Sequence, residues 1–129
     1  MDMFEAMRQA AFLAKLTTRN PTAVPAQAAL DMATAGGAKA LGMDRLIGSL
    51  QTGKRADVIT VSMSAARQTP LYDAVSHLVY VTRGDDVRTT IVNGKVLMKD
   101  RQVRTLNARG VVADANRLSQ RVREAVGRK

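Results

Sequence analysis

The chain has a single histidine, His77, which lies close in sequence to Ser76 and Asp73. Histidine, serine and aspartate together can activate a nucleophile, but such a triad is defined by its geometry in space and not by neighbouring positions. The G-x-S-x-G turn that exposes a nucleophilic serine in many hydrolases is missing from the sequence. We therefore interpret His77 as a strand-edge residue that packs or forms a hydrogen bond.

Metal-binding side chains are scarce. Zinc enzymes commonly use three or four protein ligands, often several of them histidine or cysteine, and this chain has one histidine and no cysteine. Asp57 stands beside two cations at the start of a strand, where an ion pair or a turn cap is expected. Asp85 and Asp86 follow Gly84 and are typical turn residues. The residues predict no catalytic, cofactor-binding or metal-binding site on this chain.

The segment IGSLQTGKRADVITV (47–61) contains a Gly-Lys pair that resembles part of a phosphate-binding loop. Such a loop leads into a helix N-terminus, whose free N–H groups bind the anion. Here Gly53 and Lys54 lead into a β-branched run, and Arg55 stands where a serine or threonine is needed. We expect Gly48 and Gly53 to shape turns, and Lys54 and Arg55 to be solvated.

The chain is basic, with 20 Lys and Arg against 11 Asp and Glu and a net charge of +9. Residues 99–129 carry nine basic and three acidic side chains. A solvated face of a C-terminal helix is the favoured explanation, and a small basic module that binds nucleic acid or a partner protein is the alternative. Nucleic acid is the weaker choice because aromatic residues, on which bases stack, make up only 3% of the chain.

The composition also bears on location. The absence of cysteine fits a reducing compartment, so we predict a cytoplasmic protein. No stretch approaches the roughly 18 apolar residues of a membrane span, and the N-terminus lacks the pattern of a secretory signal.

Helices are predicted at both ends of the chain. Asp2 is a plausible cap for a helix over 2–17, and a second helix is expected over 24–35. Gly36 and Gly37 should interrupt it before a short helical piece, Ala38–Leu41, that ends at Gly42. The last helix is expected over 108–126 with Asn107 as its cap. Its apolar stripe consists of Val111, Ala115, Leu118, Val122 and Ala125 or Val126.

Strands are predicted in the middle. The run DVITVS (57–62) suits a strand buried on both faces, 64–76 suits a loop, and SHLVYV (76–81) a short strand. The segment 87–98 contains Asn93-Gly94, the pair that favours a two-residue type I′ hairpin turn, and Arg101–Arg104 is a candidate further strand. Helices, then strands, then a helix indicate an α+β fold.

Several segments together resemble the metal-dependent amidohydrolases. The segment 47–61 resembles the part of these enzymes that re-enters a small β-sandwich after the barrel, and MATAGGAKALGM (32–43) resembles the helical pair before it. The stretch 69–103 resembles the branch that deaminates S-adenosylhomocysteine and methylthioadenosine and includes triazine hydrolases. The opening residues 2–16 resemble the helix after the last barrel strand.

The resemblance implies a fold and a division of the chain. Residues 1–45 would be the terminal helices of a (β/α)8 barrel, 46–106 part of a small β-sandwich (the composite domain), and 107–129 a C-terminal helix. Family members bind a divalent metal such as zinc or iron at the C-terminal ends of the barrel strands. Their histidine and aspartate ligands would all precede Asp2, and the histidine that His77 matches is not a metal ligand.

The resemblance therefore implies the C-terminal part, a fragment, of a hydrolase acting on non-peptide carbon–nitrogen bonds. The expected reaction is deamination of an adenosine-like or other N-heterocyclic substrate. Whether this chain is itself an enzyme stays open, and we expect it to be inactive alone. Its expected partners are the missing barrel portion or another copy of the chain, because Phe4, Met7 and their neighbours would otherwise face water.

Overall fold

The computed structural model describes residues 2–127 as five α-helices and four β-strands. The helices are α1 (Met3–Thr18), α2 (Ala26–Asp31), α3 (Gly37–Ala40), α4 (Ala74–Tyr80) and α5 (Ala108–Gly127). The strands are β1 (Val58–Val61), β2 (Val87–Val92), β3 (Lys95–Lys99) and β4 (Gln102–Val103). This mixture of helices and antiparallel strands confirms the predicted α+β class.

Helix α1 begins as predicted, because the Asp2 carboxylate accepts a hydrogen bond of 2.9 Å from the Phe4 backbone N–H. It ends with Arg19 in the left-handed region (φ 51°), and the N–H groups of Arg19 and Asn20 bond back to the carbonyls of Leu16 and Lys15. This is a Schellman closure made without the usual glycine.

The second helical segment differs from the prediction. Gly36 and Gly37 were expected to interrupt it, but both have right-handed helical angles, and a π-helical turn over Met32–Gly36 joins α2 to α3. A β-carbon on Gly36 would lie 3.0 Å from the carbonyl oxygen of Asp31, so the missing side chain lets this wider turn form. The segment ends at Gly42 (φ 67°), as predicted.

The segment 76–81 is not a strand. It lies in α4, because the Asp73 carboxylate accepts a hydrogen bond of 2.9 Å from the Ser76 N–H and caps a helix there. The predicted loop over 64–76 also contains a 3-10 turn, Ala66–Gln68. The periodicity of a short apolar run does not distinguish a strand from a helix, and here the Asp73 cap favours the helix.

The sheet is antiparallel throughout, in the order β1-β2-β3-β4. The β2–β3 hairpin is confirmed, with Asn93 (φ 49°) and Gly94 (φ 76°) both left-handed, as a type I′ turn requires. The predicted strand at 101–104 is confirmed as β4. Strand β1 is confirmed in its predicted position. The prediction that it is buried on both faces is wrong, because β1 is an edge strand and Ile59 is 48% exposed.

One apolar core joins α1, α2 and α4 to the start of β2. Its buried members are Phe4, Met7, Ala11, Ala29, Val79 and Val87. Our expectation that Phe4 and Met7 face water or another copy is therefore wrong, since α2 and α4 cover that face of α1. Lys15 connects α1 to the segment just before α2, because its ammonium group donates hydrogen bonds to the carbonyls of Ala23 and Val24.

Helix α5 has the predicted position and cap, with the Gly110 N–H donating to the Asn107 side chain over 3.1 Å. None of its described residues is buried. No helix in the described part of the chain is long and apolar enough to cross a membrane.

Candidate functional site

A buried polar cluster lies where the 3-10 turn before Thr69, the end of α4 and the start of β2 meet. Gln68 and Thr82 are fully buried and Asp86 is 7% exposed. The Gln68 side-chain amide donates to Thr82 Oγ1 over 3.4 Å and to Asp86 Oδ2 over 3.3 Å. The Arg67 guanidinium forms an ion pair with the Asp86 carboxylate. We call these four residues, Arg67, Gln68, Thr82 and Asp86, the Asp86 cluster.

The charge of Asp86 is held by its neighbours. Burial acts to raise the pKa of this carboxyl, but the Arg83 backbone N–H, 2.9 Å away, and the Arg67 guanidinium outweigh it. The pKa of Asp86 therefore lies below its usual value, and the group is a carboxylate at neutral pH. Asp85 and Asp86 are turn residues, as predicted, but Asp86 also has this buried structural role.

The cluster is connected to α1. The Arg8 guanidinium donates to the Thr82 carbonyl over 2.8 Å, and the Gly84 N–H donates to the Asp2 carboxylate over 3.1 Å. These contacts join residues more than seventy positions apart in the chain. The Asp2 and Asp86 carboxylates and the Arg8 and Arg67 guanidinium groups thus all have protein partners, and these contacts position the backbone.

His77, Ser76 and Asp73 do not form a catalytic triad. The Asp73 carboxylate caps α4, and hydrogen bonds from Ser76 lower its pKa. The His77 Nδ1 atom lies 3.0 Å from the Asp73 backbone carbonyl. The predicted hydrogen-bonding role of His77 is confirmed, but it is a helix residue and not a strand-edge one.

Polar side chains of the segment 47–61 make structural contacts within the chain. The Asp57 carboxylate accepts a hydrogen bond from the Asn93 N–H, 2.6 Å away, so Asp57 supports the hairpin turn, as predicted. Gly48 and Gly53 both have φ near 89°, which confirms their role in turns. Lys54 is not simply solvated, because its ammonium donates to the Asp44 and Ile47 carbonyls and to Ser49 Oγ. Arg55 is exposed, as expected.

An open apolar cleft lies between α3, the segment 47–50 and β1. Its volume is about 490 Å³. The larger apolar side chains in its lining are Met3, Leu41, Ile47, Leu50, Val58 and Ile59. Asp57 is the one charged residue among those that line it, so the cleft offers contact area and little chemistry.

The described residues do not fit a resident metal. Within residues 2–127, no three His, Cys, Asp or Glu side chains are grouped so that they could hold an ion. The prediction that the chain carries no catalytic, cofactor-binding or metal-binding residue stays a prediction.

Residues 1–97 match the amidohydrolase family. The chain belongs to this family. The match covers the helical core and the sheet as far as β3, and α5 lies beyond it. The family resemblance carried by residues 2–16, 32–43 and 47–61, and by 69–103 as far as residue 97, is thereby confirmed.

Two of the curated relatives that the chain resembles are deaminases. The chain is 50% identical over 120 residues to the 5′-deoxyadenosine deaminase of Methanosarcina mazei, covering 93% of this chain and 27% of the relative. It is 42% identical over 126 residues to 5-methylthioadenosine/S-adenosylhomocysteine deaminase 1 of Syntrophus aciditrophicus, covering 98% and 28%. The chain thus spans little more than a quarter of the length of these relatives.

Solved amidohydrolase structures show the same fold. An adenosine deaminase from Xanthomonas campestris with bound zinc superposes with a TM-score of 0.87 at 36% identity, covering 95% of this chain and 28% of that one. A triazine hydrolase variant superposes with a TM-score of 0.76 at 25% identity, covering 89% and 25%. These comparisons support the deaminase interpretation and give no support to the basic binding module.

Proposed function

We propose that this chain is the scaffold part of an amidohydrolase-type deaminase that hydrolyses a carbon–nitrogen bond of an adenosine-like substrate. The observation that carries the proposal is the match over 93% of the chain to a 5′-deoxyadenosine deaminase of which it covers only 27%. The relatives named for methylthioadenosine and S-adenosylhomocysteine support the same substrate class.

The proposal assigns roles to the three predicted segments. Residues 1–45 supply helices that end a (β/α)8 barrel, 46–106 supply part of a composite β-sandwich, and 107–129 add the terminal helix. The continuous α2–α3 segment and the four-stranded antiparallel sheet support this division. The cytoplasmic location stays a prediction.

The chemistry must come from residues outside this chain. Deaminases of this kind use a metal-activated water, and a zinc-bound relative supports a divalent metal for the complete family domain. No step of that chemistry is assigned to the residues described here, since they do not fit the metal. We therefore expect the isolated chain to be inactive.

The exposed apolar surface supports a docking role. On α1, Leu13 is 56% and Leu16 72% exposed, and in the cleft Leu41 is 71% and Leu50 82% exposed. Large exposed apolar side chains of this kind are typical of surfaces that contact another segment or protein. We propose that the remainder of the family domain, with the metal ligands, covers these faces.

Reconstitution tests the proposal. The chain is mixed with the Methanosarcina mazei deaminase from which the homologous segment of 120 residues has been removed, and ammonia release from 5′-deoxyadenosine is measured. We expect turnover by the mixture and none by either part alone. Equal turnover by the isolated chain would contradict the proposal, as would an inactive mixture in which the two parts bind each other.

The matched control is the Val79→Asp variant, which cannot form the core because Val79 is fully buried. If this variant reconstitutes activity as well as the original chain, the scaffold is not needed and the proposal fails.

A further inference from the structure

The turn between β2 and β3 consists of Asn93 and Gly94, a pair whose own atoms can react with each other. The backbone nitrogen of a residue can attack the side-chain amide of a preceding asparagine, and glycine hinders this attack least because it has no side chain. Both residues are exposed. A β-carbon built on Gly94 would meet nothing within 4 Å beyond its chain neighbours, so the space around this nitrogen is open.

The three other asparagines of the chain are less suited to this attack. Asn20 precedes a proline, whose ring nitrogen has no hydrogen to lose. Asn107 and Asn116 precede an alanine and an arginine, whose side chains shield the attacking nitrogen. Asn93 is therefore the asparagine at which the sequence favours the reaction most.

Two hydrogen bonds hold both backbone N–H groups of the turn. The Asn93 N–H donates to the Asp57 carboxylate over 2.6 Å, and the Gly94 N–H donates to the Ala56 carbonyl over 3.1 Å. Both acceptors lie just before β1, the strand that pairs with β2. To attack, the Gly94 nitrogen must give up its hydrogen bond and turn towards the Asn93 side chain, so both contacts oppose the reaction. The Asp57 carboxylate also disfavours negative charge on the nearby nitrogen.

We infer that Asn93 is a deamidation site of this chain and that Asp57 controls its rate by holding the turn closed. In this reaction the Gly94 nitrogen forms a bond to Cγ of Asn93 and the bond from Cγ to Nδ2 breaks. The proton lost by Gly94 leaves with the amide group as ammonia. Water then opens the five-membered ring at either carbonyl and gives aspartate or isoaspartate.

The product weakens the contact that restrains the reaction. Aspartate places a second carboxylate on the residue whose N–H binds Asp57, and the two like charges repel. Isoaspartate adds one carbon to the backbone of a two-residue turn, whose geometry fixes the strand register. Both products therefore oppose the pairing of β1 with β2, in which Val58 lies opposite Ile91. All these contacts lie within the chain, so the reaction requires no partner.

Mass spectrometry of peptides tests the inference without reference to any enzymatic activity. The folded chain is incubated in mildly alkaline buffer, and deamidation is measured separately at Asn93, Asn107 and Asn116. We expect slow deamidation at Asn93, and a rate about tenfold higher in Asp57→Ala, because a hydrogen bond to a charged acceptor is lost. The matched control, Asp44→Ala, removes an exposed carboxylate from the preceding loop and should leave the rate unchanged. An unchanged rate in Asp57→Ala would overturn the inference.

The comparison of sites separates release of the turn from loss of the fold. Release of the turn raises the rate at Asn93 alone, whereas global unfolding also raises the rates at Asn107 and Asn116. If Asp57→Ala unfolds, Asp57→Asn replaces it, because the amide keeps the shape and an acceptor oxygen. That variant should show a smaller increase confined to Asn93, and the absence of any increase would contradict the inference.

Urea provides the reference for the unrestrained reaction. In urea the original chain and Asp57→Ala should deamidate at the same rate at Asn93, because the contact with Asp57 exists only in the folded chain. The folded original chain should be slower than both. A folded chain that deamidates at Asn93 as fast as the unfolded chain would show that the turn gives no protection and would overturn the inference.

Discussion

Helices α1 and α5 have similar apolar periodicity and opposite burial. In α1, Phe4 and Met7 are 8% and 6% exposed and Ala11 is fully buried. In α5, Leu118 and Val122 are both more than half exposed. Periodicity determines which side chains share a face, but burial needs a second surface, which α2 and α4 provide for α1.

The same contrast applies to polar groups. Asp86 is charged, buried and bound by Arg67, Gln68 and the Arg83 N–H, whereas Asp114, among residues 2–127, has only an exposed ion pair along its own helix. We therefore expect the helical core and its Asp86 cluster to unfold as one cooperative unit, and α5 to contribute little to it. The predictions below test this difference.

The largest expected effect is the contrast between two valines. Val79→Asp places an unpaired charge in the core and should cost more than about 4 kcal/mol of unfolding free energy. Val122→Asp on α5 should change that free energy by no more than about 0.5 kcal/mol. Urea denaturation at low protein concentration, followed by circular dichroism, measures both.

A similar loss for the two variants would show that α5 belongs to the same cooperative unit as α1. In that case its exposed face would be covered in solution by the chain's own core.

An intermediate effect is expected for Asp86→Asn, which removes the charge that Arg67 and the Arg83 N–H stabilise. At pH 7 the free energy of unfolding should fall by about 2 kcal/mol. The matched control is Asp85→Asn, because the Asp85 side chain is 64% exposed and lies 3.6 Å from Arg67. Its effect should be within about 0.5 kcal/mol.

The pH dependence of this loss has a definite sign. The pKa of Asp86 is lower in the folded chain than in the unfolded chain, so the unfolded chain binds more protons as the pH falls below about 4. The stabilisation is complete above that pH and is lost as the pH falls through the folded-state pKa. The difference between the original chain and Asp86→Asn should therefore shrink on acidification, and a constant difference would contradict the role of the charge.

The smallest expected effect concerns the end of α1. Arg19→Gly should raise the free energy of unfolding by about 0.5–1 kcal/mol, because a left-handed residue with a β-carbon is strained. Gly42→Ala is the converse control at a helix end of the same type, and should lower it by a similar amount. Thermal unfolding measures both, and a destabilised Arg19→Gly chain would show that the arginine side chain makes a compensating contact.

Local signals were sufficient for several elements. The Asp2 cap, the Asn93-Gly94 turn, the Gly42 helix end and the Asn107 cap each depend on a few adjacent residues, and each was predicted correctly. The β-branched run after Lys54 was also predicted correctly as a strand, β1, where a phosphate loop would need a helix.

Other features were mispredicted because their signals are ambiguous within a short window. The run 76–81 fits a strand as well as a helix, and the Asp73 cap decides between them. Gly36 and Gly37 are typical of a helix end, but here they lie in and next to a π-helical turn and the helix continues through them. The Asp86 cluster was not predicted, because Arg67 and Asp86 are far apart in sequence and no local pattern links them. The turn residues around Asp86 indicated a turn but not a buried ion pair.

The positions of several helix and strand ends were thus contained in the order of the residues, since caps, turns and apolar spacing are local properties. The family was indicated separately, by the resemblance of whole segments to the amidohydrolases. Which apolar faces are buried was decided by tertiary structure. Phe4 and Met7 are covered because α4 returns to α1 across about seventy residues of chain, while Leu118, with equally regular spacing, finds no such surface in the described chain. Burial depends on the relative placement of distant segments, and no local pattern specifies that placement.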